Sequence, residues 1–202
     1  MQGKGVPAKG ARAENLKSMR IVGGRLKGRT LKGPASDSIR PTSDRLRESL
    51  FNILEHGYGA PVEGARVIDV FAGTGALAIE ALSRGAAFAL FVDQSAQAAA
   101  IIRANIEALG LGQTTRVLRR DARKLGAAPK DERYDIAFLD PPYGRGLAAP
   151  ALTALREGGW LEKGALVLIE ETTQSEVALP DGFAPREIRQ FGDTQVVFAS
   201  AG

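Results

Sequence analysis

Cysteine is absent from the 202 residues, which removes disulfides, thiolate metal sites and cysteine nucleophiles. Histidine occurs once, as His56, so histidine-based triads and histidine-rich metal sites are excluded and no metal is expected. His56 follows an amphipathic segment, where an imidazole serves as a helix C-terminal cation. No apolar run approaches the ~20 residues of a membrane-spanning helix, and residues 1–18 lack the apolar centre of a secretory signal. A cytoplasmic protein without a membrane partner is expected. What is present fits a soluble globular chain: 44% hydrophobic and 25% charged residues. The length suits one well-buried α/β domain with a short appendage, and without an evident apolar patch a monomer is expected.

Basic charge is concentrated near the start. Residues 1–18 carry four Lys/Arg and one Glu, residues 19–47 carry eight Lys/Arg and two Asp, and residues 48–202 carry fifteen Lys/Arg and twenty Asp/Glu. Arg20, Arg25, Lys27, Arg29, Lys32, Arg40, Arg45 and Arg47 therefore form a cationic, glycine-rich arm on a mildly acidic body, a distribution that suits phosphate binding.

Three regions follow from the patterning. Residues 1–18 are rich in Gly, Lys and Ala, without apolar periodicity, and read as a disordered tail or an expression remnant. Residues 19–60 open with Arg20-Ile21-Val22 and Arg29-Thr30-Leu31 around glycines, a small basic β-hairpin. A helix follows, with Thr42 or Ser43 as N-cap and Leu46, Leu50, Ile53 and Leu54 as its apolar stripe. Residues 61–202 alternate strands at 66–71, 87–93, 115–120, 134–139 and 165–170 with helices near 75–84, 95–109 and 148–158. Such alternation predicts a parallel sheet with right-handed crossovers and a ligand crevice at the carboxyl ends of its strands. Segments 185–191 and 194–199, joined by Gly192-Asp193, predict a terminal antiparallel hairpin.

Acidic residues close the strands that face this crevice. Val67-Ile68-Asp69-Val70-Phe71-Ala72-Gly73-Thr74-Gly75 is a strand entering a glycine turn and then a helix, whose free N–H groups suit a nucleotide-like cofactor. Asp93 ends the second strand, within reach of a ribose diol over that turn. Asp121 ends the third, placed to accept from an adenine amine, and Asp69 can engage the amino-acid end of S-adenosylmethionine. So much acid suits a sulfonium cofactor better than a pyrophosphate. Asp140-Pro141-Pro142-Tyr143 closes the fourth strand. Its prolines remove two backbone donors and leave carbonyl acceptors beside the Asp140 carboxylate, while Tyr143 offers a ring for stacking. A planar base with an exocyclic amine satisfies that turn, adenine as well as guanine.

Arg40-Pro41-Thr42-x-x-Arg45-x-Arg47-Glu48-x-Leu50-Phe51-Asn52, the Asp69-Val-Phe-Ala-Gly-Thr-Gly turn, Asp93, Asp121 and Asp140-Pro-Pro-Tyr143 together resemble the RsmD-type 16S ribosomal RNA guanine-N2 methyltransferases, from about Met19 to Ala199. The resemblance implies a class I, Rossmann-like α/β methyltransferase fold: a seven-stranded, mostly parallel sheet with an antiparallel C-terminal hairpin. It implies S-adenosylmethionine as cofactor, held by Asp69, Gly73, Gly75, Asp93, Asp121 and Asp140, with Arg40, Thr42, Phe71, Ala72, Gln94 and Ala122 nearby. Asp140 and the Pro141 carbonyl would accept from the guanine N2 amine, Pro142 would stiffen the turn and Tyr143 would stack. Arg20, Arg25, Lys27, Arg29, Lys32 and Arg45 would bind 16S rRNA, within small-subunit particles. Residues 1–18 fall outside the family pattern, and Thr172 to Ala184 matches no family element, leaving the last helix unassigned.

Three other functions remain compatible with parts of the pattern. An adenine-N6 methyltransferase acting on RNA or DNA fits the proline turn. A nicotinamide dehydrogenase fits the glycine turn with Asp93 but lacks a residue for hydride-coupled acid chemistry. A non-catalytic rRNA-binding assembly factor fits the basic arm.

Overall fold

The computed structural model describes residues 19–33, 43–59 and 61–202. Arg40, Thr42 and the tail at 1–18 lie outside the described residues. The chain opens with β1 (Met19–Arg20) and β2 (Thr30–Leu31), an antiparallel pair with Met19 opposite Leu31, joined through a 3-10 turn at Gly24–Leu26. The strands are shorter than the sequence pattern predicts because Val22 leaves the hairpin and donates its N–H to Glu80 Oε2 at 2.9 Å.

Helix α1 (Asp44–Gly57) is capped by Ser43, whose hydroxyl accepts from Leu46 N at 3.1 Å. Its buried face is Leu46, Arg47, Leu50, Phe51 and Leu54. Arg47 corrects the reading of the cationic arm. It is fully buried, donating to Asp44 Oδ1 and to the Arg20 carbonyl, both at 2.7 Å. A guanidinium removed from water requires such pairing, so Arg47 ties α1 to β1 and is not part of the solvent-facing charge.

The alternating region then builds β3 (Arg66–Val70), α2 (Ala76–Ser83), β4 (Phe88–Asp93), α3 (Ala96–Leu109), β5 (Thr115–Arg119), β6 (Tyr134–Leu139), α4 (Ala148–Glu157), β7 (Leu161–Thr172), β8 (Phe183–Phe191) and β9 (Thr194–Ala201). The seven strands lie in the order β5-β4-β3-β6-β7-β9-β8. The first five of these pair in parallel, and β9 pairs antiparallel with both β7 and β8. The central strands are buried runs of Val, Ile, Leu, Ala and Phe, as expected where helices cover both faces of a sheet. Strand β7 is longer than predicted at both ends, and a register shift between Tyr134 and Ile136 of β6 accommodates its extra residues. Between β7 and β8 the chain runs through turns and coil rather than a helix.

The N-terminal elements share the core of the sheet. Met19, Ile21, Leu31, Leu50 and Phe51 belong to one apolar cluster with Val67, Ile79, Phe91 and Phe138. Polar contacts fix the docking to α2: Ser83 Oγ donates to the Gly23 carbonyl at 2.6 Å and accepts from Leu26 N at 2.9 Å. Gly24 is required there, since its φ is +70° and a Cβ would lie 2.0 Å from the Ser83 carbonyl oxygen. Removing a buried hydroxyl that serves two partners leaves both unsatisfied. Ser83→Ala should therefore cost about 1–3 kcal/mol, read as a lowered urea midpoint at unchanged m-value.

Candidate active site

The predicted crevice is a cavity of about 440 Å³ at the carboxyl ends of β3, β4, β6 and β7. Of the residues predicted around the cofactor and the base, Asp69, Phe71, Ala72, Gly73, Asp93, Gln94, Asp140, Pro141, Pro142 and Tyr143 line it.

Its floor comes from the β3 turn. Asp69 is buried to 1% exposure and accepts from Ala78 N at 3.2 Å, inside the first turns of α2. Desolvation, reinforced by the nearby Asp93 charge and opposed by the Ala78 N–H, raises its carboxyl from 3.8 to about 8. A buried carboxyl so disfavoured as an anion is matched to a cation. Phe71 adopts the left-handed conformation, φ 65°, at a cost of about 1–3 kcal/mol for a residue with a side chain. This kink carries the chain from strand to turn. Gly75 does not line the cavity; its φ is 79° and a Cβ would sit 2.9 Å from the Phe91 ring, so it permits the start of α2.

Asp93 organises the adjoining wall. One oxygen accepts from Gly73 N at 2.9 Å and the other from Ser95 N at 2.8 Å, joining the glycine turn to the start of α3. Asp121 behaves differently. Its carboxylate accepts from Arg123 Nη2 at 2.7 Å and Nε at 3.0 Å, and caps the next turn through Arg123 N at 2.9 Å. These Arg123 bonds pull it down to about 2, and neither Asp121 nor Ala122 lines the cavity. The local arginine two residues on, invisible to a strand-end argument, captures this acid. Gln94, Ser95, Gln97 and Ala98 line the cavity beside Asp93 instead.

The opposite wall is the proline turn, and it is braced from β7. Tyr143 donates its hydroxyl to Glu170 Oε1 at 2.5 Å, with Thr194 Oγ1 at 3.4 Å. Burial, then the Glu170 and Asp140 charges, raises its phenol far above the usual value, so it keeps its proton. Gly144 N donates to Glu171 Oε1 at 3.1 Å, as does Thr172 N at 2.9 Å. Two successive glutamates, Glu170 and Glu171, thus hold the turn, and the motif reading missed both. A signal for Glu170 was present: it ends the predicted fifth strand, as Asp93 ends the second.

Glu170 and Tyr143 also border a neighbouring cavity of about 580 Å³, lined by Ser43, Arg45 and Ser49 of the α1 start and by Gln190–Thr194 at the β8–β9 turn. Arg45 is thereby brought beside the proline turn. Arg20, Arg25, Lys27 and Lys32 are exposed near β1 and β2, and Arg29, also exposed, donates Nη2 to the Ala108 carbonyl at 3.0 Å. Buried Asn105 links that arm to the glycine turn, accepting from Lys32 N at 2.7 Å and donating to the Lys32 and Thr74 carbonyls, each at 3.1 Å. Among the described residues no group of His, Cys, Asp and Glu is arranged to hold a metal ion, and no helix is long and apolar enough to cross a membrane.

Known proteins resemble this chain in sequence and fold. Ribosomal RNA small subunit methyltransferase D of Escherichia coli K12 is 39% identical over 158 residues, covering 78% of this chain and 76% of its own length. The Haemophilus influenzae protein of the same name is 31% identical, covering 82% of this chain and 84% of its own. The solved structure of yhhF from Escherichia coli superposes with a TM-score of 0.77 at 31% identity, covering 91% of this chain and 98% of its own. The family described as Conserved hypothetical protein 95 matches residues 19–200. The chain belongs to that family, the RsmD-type methyltransferases, and carries their class I fold.

Proposed function

We propose that the protein transfers a methyl group from S-adenosylmethionine to the N2 amine of a guanine in 16S rRNA. The observation that carries this reading is the meeting, in one cavity, of the glycine turn with buried Asp69 and the acceptor-rich proline turn. The named relatives act on small-subunit ribosomal RNA.

The lining fits the cofactor. The α2 start offers N–H groups, Asp69 offers a buried carboxyl to a cationic amino-acid end, and Asp93 stands at the ribose side. Asp121 would have no part in holding the adenine, which would rest against Gln94–Ala98. Bound there, S-adenosylmethionine supplies an electrophilic methyl group on a sulfonium centre. The protein positions its acceptor. An aryl amine is a weak nucleophile because its lone pair is delocalised into the ring. Asp140 and the Pro141 carbonyl accept its hydrogens and turn the lone pair toward the methyl group, and Asp140 takes up the proton released. Alignment at about 3–3.5 Å supplies much of the rate. Tyr143, fixed by Glu170, stacks on a guanine turned out of its helix, at an unstacking cost of a few kcal/mol. Arg20, Arg25, Lys27, Arg29, Lys32 and Arg45 hold the RNA phosphates, in a small-subunit particle, with the protein acting as a cytoplasmic monomer.

Asp140→Ala should abolish methyl transfer while leaving the calorimetric affinity for S-adenosylmethionine within about threefold, since less than the tenfold that 1.4 kcal/mol represents is at stake. Retained turnover would remove the role given to Asp140.

Asp69 makes cofactor binding depend on pH. Its folded carboxyl lies near 8, above the unfolded 3.8, so its stability contribution is complete below about pH 4 and is lost as pH rises through 8. A bound ammonium favours the anion, so binding releases a proton. Affinity should rise with pH between 6 and 7.5, by up to about tenfold per unit, and Asp69→Asn should bind weakly with a flat profile.

Neutralising Arg25 and Lys27 together should weaken RNA binding across sequences and reduce the slope of log K against log salt by roughly 1–2. An unchanged slope would show that these two side chains do not meet phosphate.

A further inference from the structure

We propose that Glu170 determines which base is methylated, by accepting the N1–H of guanine beside the amine held at Asp140; this rests on the base-methylation reading above. The strand register brings the two acidic residues to one level of the sheet edge. Leu139 of β6 is paired with Ile169 of β7 in a parallel ladder, so Asp140 and Glu170 occupy the next level on adjacent strands, which lie about 4.8 Å apart. Both line the cofactor cavity, and Glu170 also borders the neighbouring cavity by Arg45. At this edge a base meets two acceptor groups in a row.

The nucleobases differ in what flanks the amine. In guanine the N2 amine stands next to N1–H, a donor. In adenine the N6 amine stands between N1 and N7, both acceptors, and in cytosine the N4 amine stands next to N3, an acceptor. With the amine at Asp140, guanine gives Glu170 a hydrogen to accept. Adenine or cytosine sets a ring-nitrogen lone pair against the carboxylate, and a buried polar pair without a hydrogen between them is strongly rejected. The Watson–Crick edge of an extruded base is the surface such enzymes read.

Tyr143 sharpens this arrangement. Its hydroxyl donates to Glu170 Oε1 at 2.5 Å, and a carboxylate has lone pairs enough for that bond and others. The bond orients the carboxylate and joins the stacking ring to the group that reads the edge. In Glu170→Gln the same hydroxyl selects the amide oxygen as its acceptor and turns the NH₂ toward the base. A donor then faces N1, which suits a ring nitrogen carrying a lone pair.

The test uses 2-aminopurine, which keeps the N2 amine but has an unprotonated N1. Small-subunit RNA, in the assembly state that accepts methyl groups, is prepared with guanine or, by ligation of a synthetic segment, 2-aminopurine at the mapped position. Wild-type kcat/KM should favour guanine by roughly 100-fold or more. Glu170→Gln should lose at least about tenfold on guanine and narrow the preference to within about tenfold, the range one or two hydrogen bonds supply. Near- and far-UV circular dichroism matching the wild type shows that the variant is folded. Equal use of guanine and 2-aminopurine by the wild type overturns the proposal without any variant, as does an unchanged preference in folded Glu170→Gln. Wild-type protein that forms no N2-methylguanosine overturns the base-methylation reading itself, a separate result.

Discussion

Parallel pairing of Val70 with Leu139, and of Leu139 with Ile169, fixes the level at which β3 and β6 release the chain into the active site, beside Glu170 within β7. The glycine turn, the proline turn and Glu170 stand together only because this register holds. A slip of one residue would send each terminal side chain to the opposite face of the sheet. The register is secured by burial on both faces: Ile68, Val70, Ala137, Leu139, Val167 and Ile169 form one apolar layer, and Val67, Phe138 and Leu168 belong to the other. Dense packing makes the strand ends a rigid frame. The costs gathered at the edge, a left-handed Phe71 and a buried Asp69, are sustained by that frame.

Two kinds of bracing refine the frame. Backbone amides of the turns are taken by acids: Asp93 receives Gly73 and Ser95, and Glu171 receives Gly144 and Thr172. Side chains of neighbouring elements then connect the site to the RNA-facing arm. Ser83 and Glu80 seat the first strands on α2, and Asn105 spans Lys32 and Thr74. The helix that begins at the glycine turn and the basic arm thus share a rigid attachment, which suits an enzyme whose rate comes from alignment rather than from a strong base.

The parallel sheet was legible because strands buried on both faces are written as continuous apolar runs closed by turn residues. The acids at 69, 93 and 140 followed from one rule, that ligands meet such sheets at the carboxyl edge. Asp121, marked by the same rule, lies outside the cavity lining and is paired with Arg123, and the rule was not carried far enough at Glu170. Arg47 shows another boundary. In sequence it is one more cation in a basic stretch, and only the packing of α1 against β1 reveals that it is buried and paired. Long-range side-chain pairs, such as Tyr143 with Glu170, leave no periodicity to read. The proline turn specified an amine but left guanine and adenine equivalent; the neighbour on β7 supplies a physical reason to separate them.

The central claim is that the protein methylates an exocyclic amine of a small-subunit RNA base, and that the base is guanine. Labelled methyl transfer from S-adenosylmethionine to small-subunit RNA, with and without bound ribosomal proteins, followed by nucleoside mass analysis, tests it directly. The account predicts label in N2-methylguanosine at a single position. Label in N6-methyladenosine, or no transfer to any of these substrates, would contradict it.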